Sequence, residues 1–313
     1  MLTFIARRLI SGAFLLLVIS ALTYALLFFS AQNIALNILG DLATPEQLAA
    51  KSQELGLDKP IVERYLAWLL AAITGDFGVS WFSNESIGSI LLARLPVTLT
   101  LVIVTILLAG IIATALGMTA AVKGGAIDRV VQILGVIGFA VPNFVLAILL
   151  VSIFAIGLFL FPATGWVPFE QSPIDWLKSL VLPVSALLVG TIASSAQQFR
   201  SAMKAVLERD WVKTLRSRGL DEREILLKHV LRASAPAGLT ILSLQFVGML
   251  GGAVIIEQIF ALPGLGFLAL QSTGIGDTPV VMGVVVITVI VVVLVNLFVD
   301  LLNGWLNPKV RVK

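Results

Sequence analysis

The ionisable side chains that could do chemistry gather in one stretch, RSAMKAVLERDWVKTLRSRGLDEREILLKHVLR at 200–232, which holds nine Lys or Arg, five acids and His229. That set does not suit covalent or metal catalysis. His229 is the only histidine and there is no cysteine, which excludes a multi-histidine or thiolate metal site, disulfides and iron–sulfur clusters. With His229 in this polar stretch, a serine–histidine pair within a membrane has no histidine to use. No GxxxxGK[ST] phosphate loop occurs anywhere, so the chain carries no evident nucleotide machinery. What is left for the stretch is recognition: a bent, charged surface on which another macromolecule acts.

Such a surface needs a well-specified bend. Met203, Val206, Leu207, Trp211, Thr214 and Leu215 recur at three- and four-residue spacing and predict one apolar helix face, with Lys204, Glu208, Arg209, Lys213 and Arg216 opposite. Gly219 stands where a helix commonly ends in a left-handed residue, and Asp221 with Glu224 three positions on predicts the capped start of a second helix. Leu226, Leu227, Val230 and Leu231 form its apolar side, and Pro236 is expected to end it.

Elsewhere the chain is lipid-like. Its 313 residues are 58% hydrophobic and 12% charged, with a mean hydropathy of +1.04, against roughly 25% charged residues in a soluble domain. Apolar runs at 9–29, 97–122, 130–161, 181–199, 237–256 and 280–302 predict six spans, since roughly 20 residues cross a bilayer. The first, behind Arg7 and Arg8, is read as an uncleaved span, because a signal peptide has an apolar region of only about 7–15 residues. The third holds Pro142 and Asn143 and exceeds a straight crossing, so a kink or tilt is expected. Gly248, Gly251 and Gly252 are expected in ordinary close helix packing. In the mostly polar 31–95 segment, Thr44, Pro45 and Gln47 start a helix that Gly56 ends. Pro60 opens another, with Ile61, Tyr65, Trp68, Leu69 and Ala72 on one side.

Charge sets the expected orientation. With the N-terminus inside, 16 of the 21 Lys and Arg lie on inside segments: Arg7, Arg8, Lys123, Arg129, the nine of 200–232, Lys309, Arg311 and Lys313. Lys51, Lys59, Arg64, Arg94 and Lys178 lie outside. Positive loops stay cytoplasmic, so both termini and the 200–232 stretch are expected in the cytoplasm. Ion-driven transport needs ionisable groups within the bilayer, yet the spans carry amides such as Gln132, Asn143, Gln245 and Asn296, with Glu257 and Asp300 near span ends. Energy is therefore expected from outside this chain, through the wet 200–232 elbow. Such a helix can instead lie on anionic lipid, and a helix-turn-helix shape can bind DNA. Five acids dilute the nine bases and both ends are tethered to spans, so a protein partner is preferred. The rival from another class is a membrane-embedded enzyme such as an intramembrane protease, and a second is a passive channel.

These residues resemble a known family, the permease subunits of ABC importers, and within it the dipeptide and oligopeptide group. LGLDKP at 55–60, Arg64–Tyr65, Trp68–Leu69 and GDFGVS at 75–80 resemble its extracytoplasmic segment, and RLPVTLTL at 94–101 the start of its permease core. DWVKTLRSRGL at 210–220 is similar to its EAA loop, with Gly219 in the glycine position. EQIFALPGLG at 257–266, DTPVV at 277–281, Asn296–Leu297, Val299–Asp300–Leu301 and Asn307–Pro308 resemble its closing motifs. The chain departs from the pattern in having SAQNIALNILGDL at 30–42 where a PGDP-like segment is usual, and in placing Pro236 one residue early.

The resemblance implies an all-α membrane protein with six transmembrane helices and the ABC importer type I permease fold. Residues 1–30 would hold the first span, 31–93 an extracytoplasmic helical segment, and 94–308 a permease core with five spans and the coupling loop 200–232. It implies a second homologous permease subunit, two ABC ATPase subunits or domains, an extracytoplasmic substrate-binding protein, and the bacterial cytoplasmic (inner) membrane, with no nucleic-acid partner. This chain would bind no cofactor, ATP and Mg being used by the ATPases. Cargo would be di- or oligopeptides, with nickel, glutathione or another small solute as the alternative. Asp210, Trp211, Thr214, Arg216, Gly219, Leu220 and Arg223 are the expected docking surface for the ATPase. Glu257, Pro263, Gly264 and Gly266 either line the outer mouth of the path or simply turn the chain toward the last span.

Overall fold

The computed structural model describes residues 2–30 and 34–306. Asn307–Pro308 and the basic Lys309, Arg311 and Lys313 lie outside the described residues, as do Ala31–Asn33 of the departing segment. The first apolar run forms α1 (Leu2–Ser30), followed by the short helices α2 (Ile34–Leu39), α3 (Pro45–Glu54) and α4 (Ile61–Ile73). The expected capping box opens α3: Gln47 N–H donates to Thr44 Oγ1 at 3.4 Å and Thr44 N–H to Gln47 Oε1 at 2.9 Å. Then come α5 (Ile87–Lys123), α6 (Gly125–Ala140) and α7 (Asn143–Leu150), the last continuing as a π-helical segment, Val151–Gly157. Gly124 and Gly125, at φ +60 and +55, make the turn from α5 to α6 in a backbone region that side chains disfavour.

The kink expected near Pro142 is a full break, with α6 and α7 meeting at 88°. Proline lacks the N–H that would continue α6 and disfavours helical backbone before it, and Val141 accordingly takes ψ 119. Beyond it lie α8 (Pro173–Leu207), α9 (Asp210–Ser217), α10 (Glu222–Glu224), a π-helical segment Ile225–Val230, α11 (Leu231–Ile259), α12 (Leu265–Ile275) and α13 (Thr278–Leu306). Among the described residues five helices are long and apolar enough to cross a membrane, and the α6–α7 pair makes a sixth if it is one broken span.

Pro236 does not end the elbow's second helix. The segment Glu222–Ile259 runs on through it as 38 helical residues. In the second turn of α11 the proline forfeits one backbone bond, whereas ending the helix there would expose many unpaired groups at the edge of an apolar run.

The chain folds as two compact units. Leu99–Leu262 with the residues from Leu294 onward form the first. Its hub is α8, which packs against α6, α7 and α11 and is more enclosed by the protein than α5 or α11. The outer surface of the unit is apolar, with Leu107, Ile111 and Leu134 facing outward, while its interior holds the hydroxyls of Thr105, Thr191 and Ser195 among buried apolar side chains such as Leu187 and Phe199. Phe199 of α8 is wedged against Gly238 of α11 and Gly117 of α5. A Cβ at Gly117 would lie 2.9 Å from the Arg200 nitrogen and 3.0 Å from the Ala196 carbonyl oxygen, backbone that cannot yield. Gly117→Ala is therefore expected to destabilise the fold by about 1–3 kcal/mol, seen as a lower thermal-unfolding midpoint. Gly248→Ala, with nothing within 4 Å of its Cβ, should leave the midpoint unchanged.

The second unit comprises Leu2–Thr98 and Pro263–Val293. The expected α4 face, from Ile61 through Tyr65, Trp68 and Leu69 to Ala72, is its half-buried side. Tyr65 and Trp68 pack with Tyr24 of α1, and the Tyr65 and Ser20 hydroxyls share a hydrogen bond of 2.9 Å. Two stretches far apart in sequence meet here: Ser80 Oγ, at the end of GDFGVS, donates at 2.5 Å to the buried carboxylate of Asp277, which opens DTPVV.

Candidate functional site

The elbow is built on the end of α8. After Leu207 the chain breaks at Glu208–Arg209, where Arg209 is extended (ψ 141), and restarts as α9. That break corrects the expected helix face. The new helix has its own register, so Val212 turns inward and is fully buried while Trp211 and Thr214 are exposed. Val212 joins Phe199, Met203, Ile225 and Val230 in one core, with Leu215 and Leu220 packed against it. Gly219 closes α9 at φ +77, its N–H donating to the Arg216 carbonyl at 2.9 Å. Asp221 caps the next helix by accepting the Arg223 N–H at 3.2 Å, but Glu224 accepts from Lys228 at 2.7 Å instead of completing a box.

Across the bend, Arg216 forks onto Glu222 through Nε (3.0 Å) and Nη2 (2.6 Å). A bidentate guanidinium–carboxylate pair fixes geometry as well as adding attraction, so α9 and α10 form one rigid corner. Asp210, whose side chain is 96% exposed, lies on its surface with Trp211, Thr214, Gly219 and Arg223. Leu220 is half-buried in the core, and Arg216 is committed to the corner itself.

Further along α8 lies a cavity of about 330 Å³ at the α6–α7 break, lined by Asn143, Thr191, Ser194, Gln245, Gly248 and Gly252 among others. Gln245 Nε2 donates to Ser194 Oγ at 2.5 Å, and Ser194 Oγ to the Gly190 carbonyl at 3.0 Å. No ionisable side chain lines it. The glycines expected in close packing are not packed: a Cβ on Gly248, Gly251 or Gly252 meets nothing within 4 Å. Two of them instead open the cavity wall.

Between elbow and cavity an ion cluster joins α6 to α8. Arg200 Nη2 donates to Asp128 Oδ2 at 2.5 Å and its Nε to Oδ1, while Lys204 Nζ reaches Oδ2 at 3.2 Å. Above the cluster α6 lies close on α8, with Gly135 against Gln197 and Gly138 against Ala193. One stiff stem thus bears the elbow at its end, the cluster on its flank and the cavity farther up.

Glu257 is wholly buried in α11, and its carbonyl accepts the Leu262 N–H at 2.8 Å. Ala261 takes φ +49 in the ensuing turn, Gly264 is the N-cap of α12, and Gly266 is buried within that helix. The backbone of this segment is a turn.

Residues 107–312 match the family described as binding-protein-dependent transport system inner membrane component, and 1–102 match its N-terminal counterpart. The chain belongs to this family. It is 36% identical over 308 residues, 98% of each chain, to a putative peptide transport system permease protein of Brucella abortus. It is 36% identical over 258 residues to the dipeptide transport system permease protein of Bacillus subtilis, covering 82% of this chain and 81% of that one. It is 33% identical over 315 residues, the whole of both chains, to a glutathione transport system permease protein of Salmonella choleraesuis. Among solved structures, the MetNI methionine ABC transporter in an inward-facing conformation matches at a TM-score of 0.56 and 18% identity, covering 70% of this chain and 96% of that one. The fold is that of an ABC importer permease of type I, and the chain is an integral membrane transport subunit rather than an enzyme, with ATP hydrolysed on separate subunits.

For a permease of this family, sequence reasoning found the corner residues and missed the rest of the stem. Asp128 and Arg200 are 72 positions apart, and the available signal was a lone acid in the first turn of an apolar helix. The sequence signals of the cavity are Pro142–Asn143, which by themselves imply only a kink, and Gln245, which by itself is only a span amide.

Proposed function

We propose that this chain is the permease of an ATP-driven importer of di- or oligopeptides in a bacterial cytoplasmic membrane, with its corner facing the cytoplasm. It pairs with a second homologous permease, takes substrate from an extracytoplasmic binding protein, and is worked by two ATPases that use ATP and Mg. The observation that carries this reading is the continuity of α8, from the rigid corner to a cavity of uncharged hydrogen-bonding groups. ATPase closure displaces the corner, and the stem transmits that displacement to the α6–α7 break, a rigid-element transition between outward and inward openings. Amides and hydroxyls suit the amide groups of a passing peptide main chain. The peptide cargo is supported by the names of the Brucella and Bacillus relatives.

The test is uptake of a labelled dipeptide into vesicles holding the assembled complex. Gly248→Leu and Gly252→Leu fill open space, so uptake is expected to stop while the unfolding midpoint holds. Undiminished uptake in both variants would remove the cavity from the path. Glutathione is the second reading, carried by the Salmonella relative's full-length match. It gains if excess glutathione, and not an excess of an ordinary α-linked tripeptide, blocks the labelled uptake.

A further inference from the structure

A second cavity, of about 730 Å³, lies behind the corner and has no part in the mechanism above. Its charged lining is wholly basic: Arg209, Lys228 and Arg232, with His229 and the Trp211 indole beside them. Four acids of the region are committed to cations other than Arg209 and Arg232, one of them to Lys228 of the lining. Glu222 holds Arg216, Glu224 holds Lys228, Asp210 holds Lys213, and Asp128 holds Arg200 and Lys204. Glu208, next to Arg209 in sequence, is exposed and outside the lining. Among the described residues no carboxylate pairs with Arg209 or Arg232. Two exposed arginines without a carboxylate partner lining one concavity suit an anion.

The rest of the lining says at what depth the anion lies. Val206 is in the last turn of α8, beyond the apolar run 181–199, Pro236 immediately precedes the run 237–256 within the continuous Glu222–Ile259 helix, and Leu306 in α13 follows the run 280–302. The cavity therefore lies at the edge of three apolar runs, the level at which headgroup phosphates sit, and a half-exposed tryptophan is the aromatic side chain suited to that level. We infer that this pocket binds the headgroup phosphate of an anionic phospholipid, with Arg209 and Arg232 on its oxygens. Arg209 is the hinge between α8 and α9, and Arg232 is on α11. One phosphate held by both ties the two arms of the corner to the membrane surface.

The assembled permease–ATPase complex in nanodiscs of phosphatidylcholine, with a minor fraction of either brominated phosphatidylglycerol or brominated phosphatidylcholine, tests this. Bromine quenches a nearby indole, and Trp211→Phe supplies the blank that isolates the Trp211 signal. Brominated phosphatidylglycerol is expected to quench Trp211 preferentially. The preference should fall roughly fivefold for each arginine replaced in Arg209→Gln and Arg232→Gln, the loss of about one surface charge's attraction, while the Arg→Lys pair keeps it. Equal quenching by both lipids, or a preference intact in the double Gln variant, overturns the site. Relief of quenching by millimolar inorganic phosphate would make it a soluble-phosphate pocket, and quenching only after the ATPases are stripped away would make it part of their footprint. Either result also overturns the lipid assignment. None of these readings depends on transport, so failure here leaves the proposed function standing.

Discussion

Gly219→Val is expected to reduce ATP-driven uptake at least tenfold while the membrane bundle stays folded. Gly219 is at φ +77, where an L-residue with a side chain incurs roughly 1–2 kcal/mol, and a β-branched one more. The open space around its Cβ position means that this strain is purely backbone. The chain relieves it by moving Leu220 and Asp221, which pulls Glu222 away from the Arg216 fork and loosens the corner. Every 1.4 kcal/mol of lost docking costs about tenfold in affinity for the ATPase. Gly219→Asn should retain most of the uptake, because asparagine tolerates the left-handed region, and Gly219→Pro should be at least as damaging as valine. The readout is uptake alongside ATP hydrolysis in the same vesicles: the valine variant hydrolyses ATP without the stimulation that substrate gives the parent. Equal uptake in the Val and Asn variants would separate corner rigidity from transport.

The second large effect is at Asp128. Asp128→Arg places three cations together where Arg200 and Lys204 now share one carboxylate, with the Asp128 and Arg200 side chains only 11% and 17% exposed. Removing one partner of an enclosed pair leaves the other charge uncompensated, which is worse than removing both. Uptake is expected to fall by more than tenfold, and the exchanged pair Asp128→Arg with Arg200→Asp should recover a large part, as a coupling of tenfold order between contacting residues allows. Asp128→Asn, which keeps the shape and one acceptor, should be milder. The discriminating measurement is the pairwise recovery. If the exchanged pair is as inactive as the single variant, α6 is not moved through this cluster.

The sequence made the corner legible wherever the signal is local. Gly219, Asp221 and the Thr44 box act on their own immediate backbone, and their residue types suffice to place them. The apolar face was misjudged at Trp211 because the break at Glu208–Arg209 carries no glycine or proline to announce it. At Pro236 the rule that proline ends an exposed helix does not govern a long one entering an apolar run. At Pro142 the break is complete, since Val141 adopts extended backbone. Gly248 and Gly252 show that small residues in a span either admit a neighbour or leave a space, which composition alone does not distinguish. Pairings such as Asp128 with Arg200, or Ser80 with Asp277, are fixed by tertiary packing and leave no mark on local spacing.

The central claim is that a separate ATPase grips the corner and thereby drives the path. The chain has no cysteine of its own, so Ser217→Cys, exposed at the end of α9, gives a single attachment point for a photoreactive maleimide. In inside-out vesicles containing the complete complex, with the binding protein and labelled dipeptide enclosed, irradiation is expected to join this chain to the ATPase in a yield that changes on ATP binding, and to stop ATP-driven release of the dipeptide to the outer, cytoplasmic side in proportion to the joined fraction. Labelling of Ser217→Cys only from the extracytoplasmic side, or joined complexes that import at the undiminished rate, would contradict it.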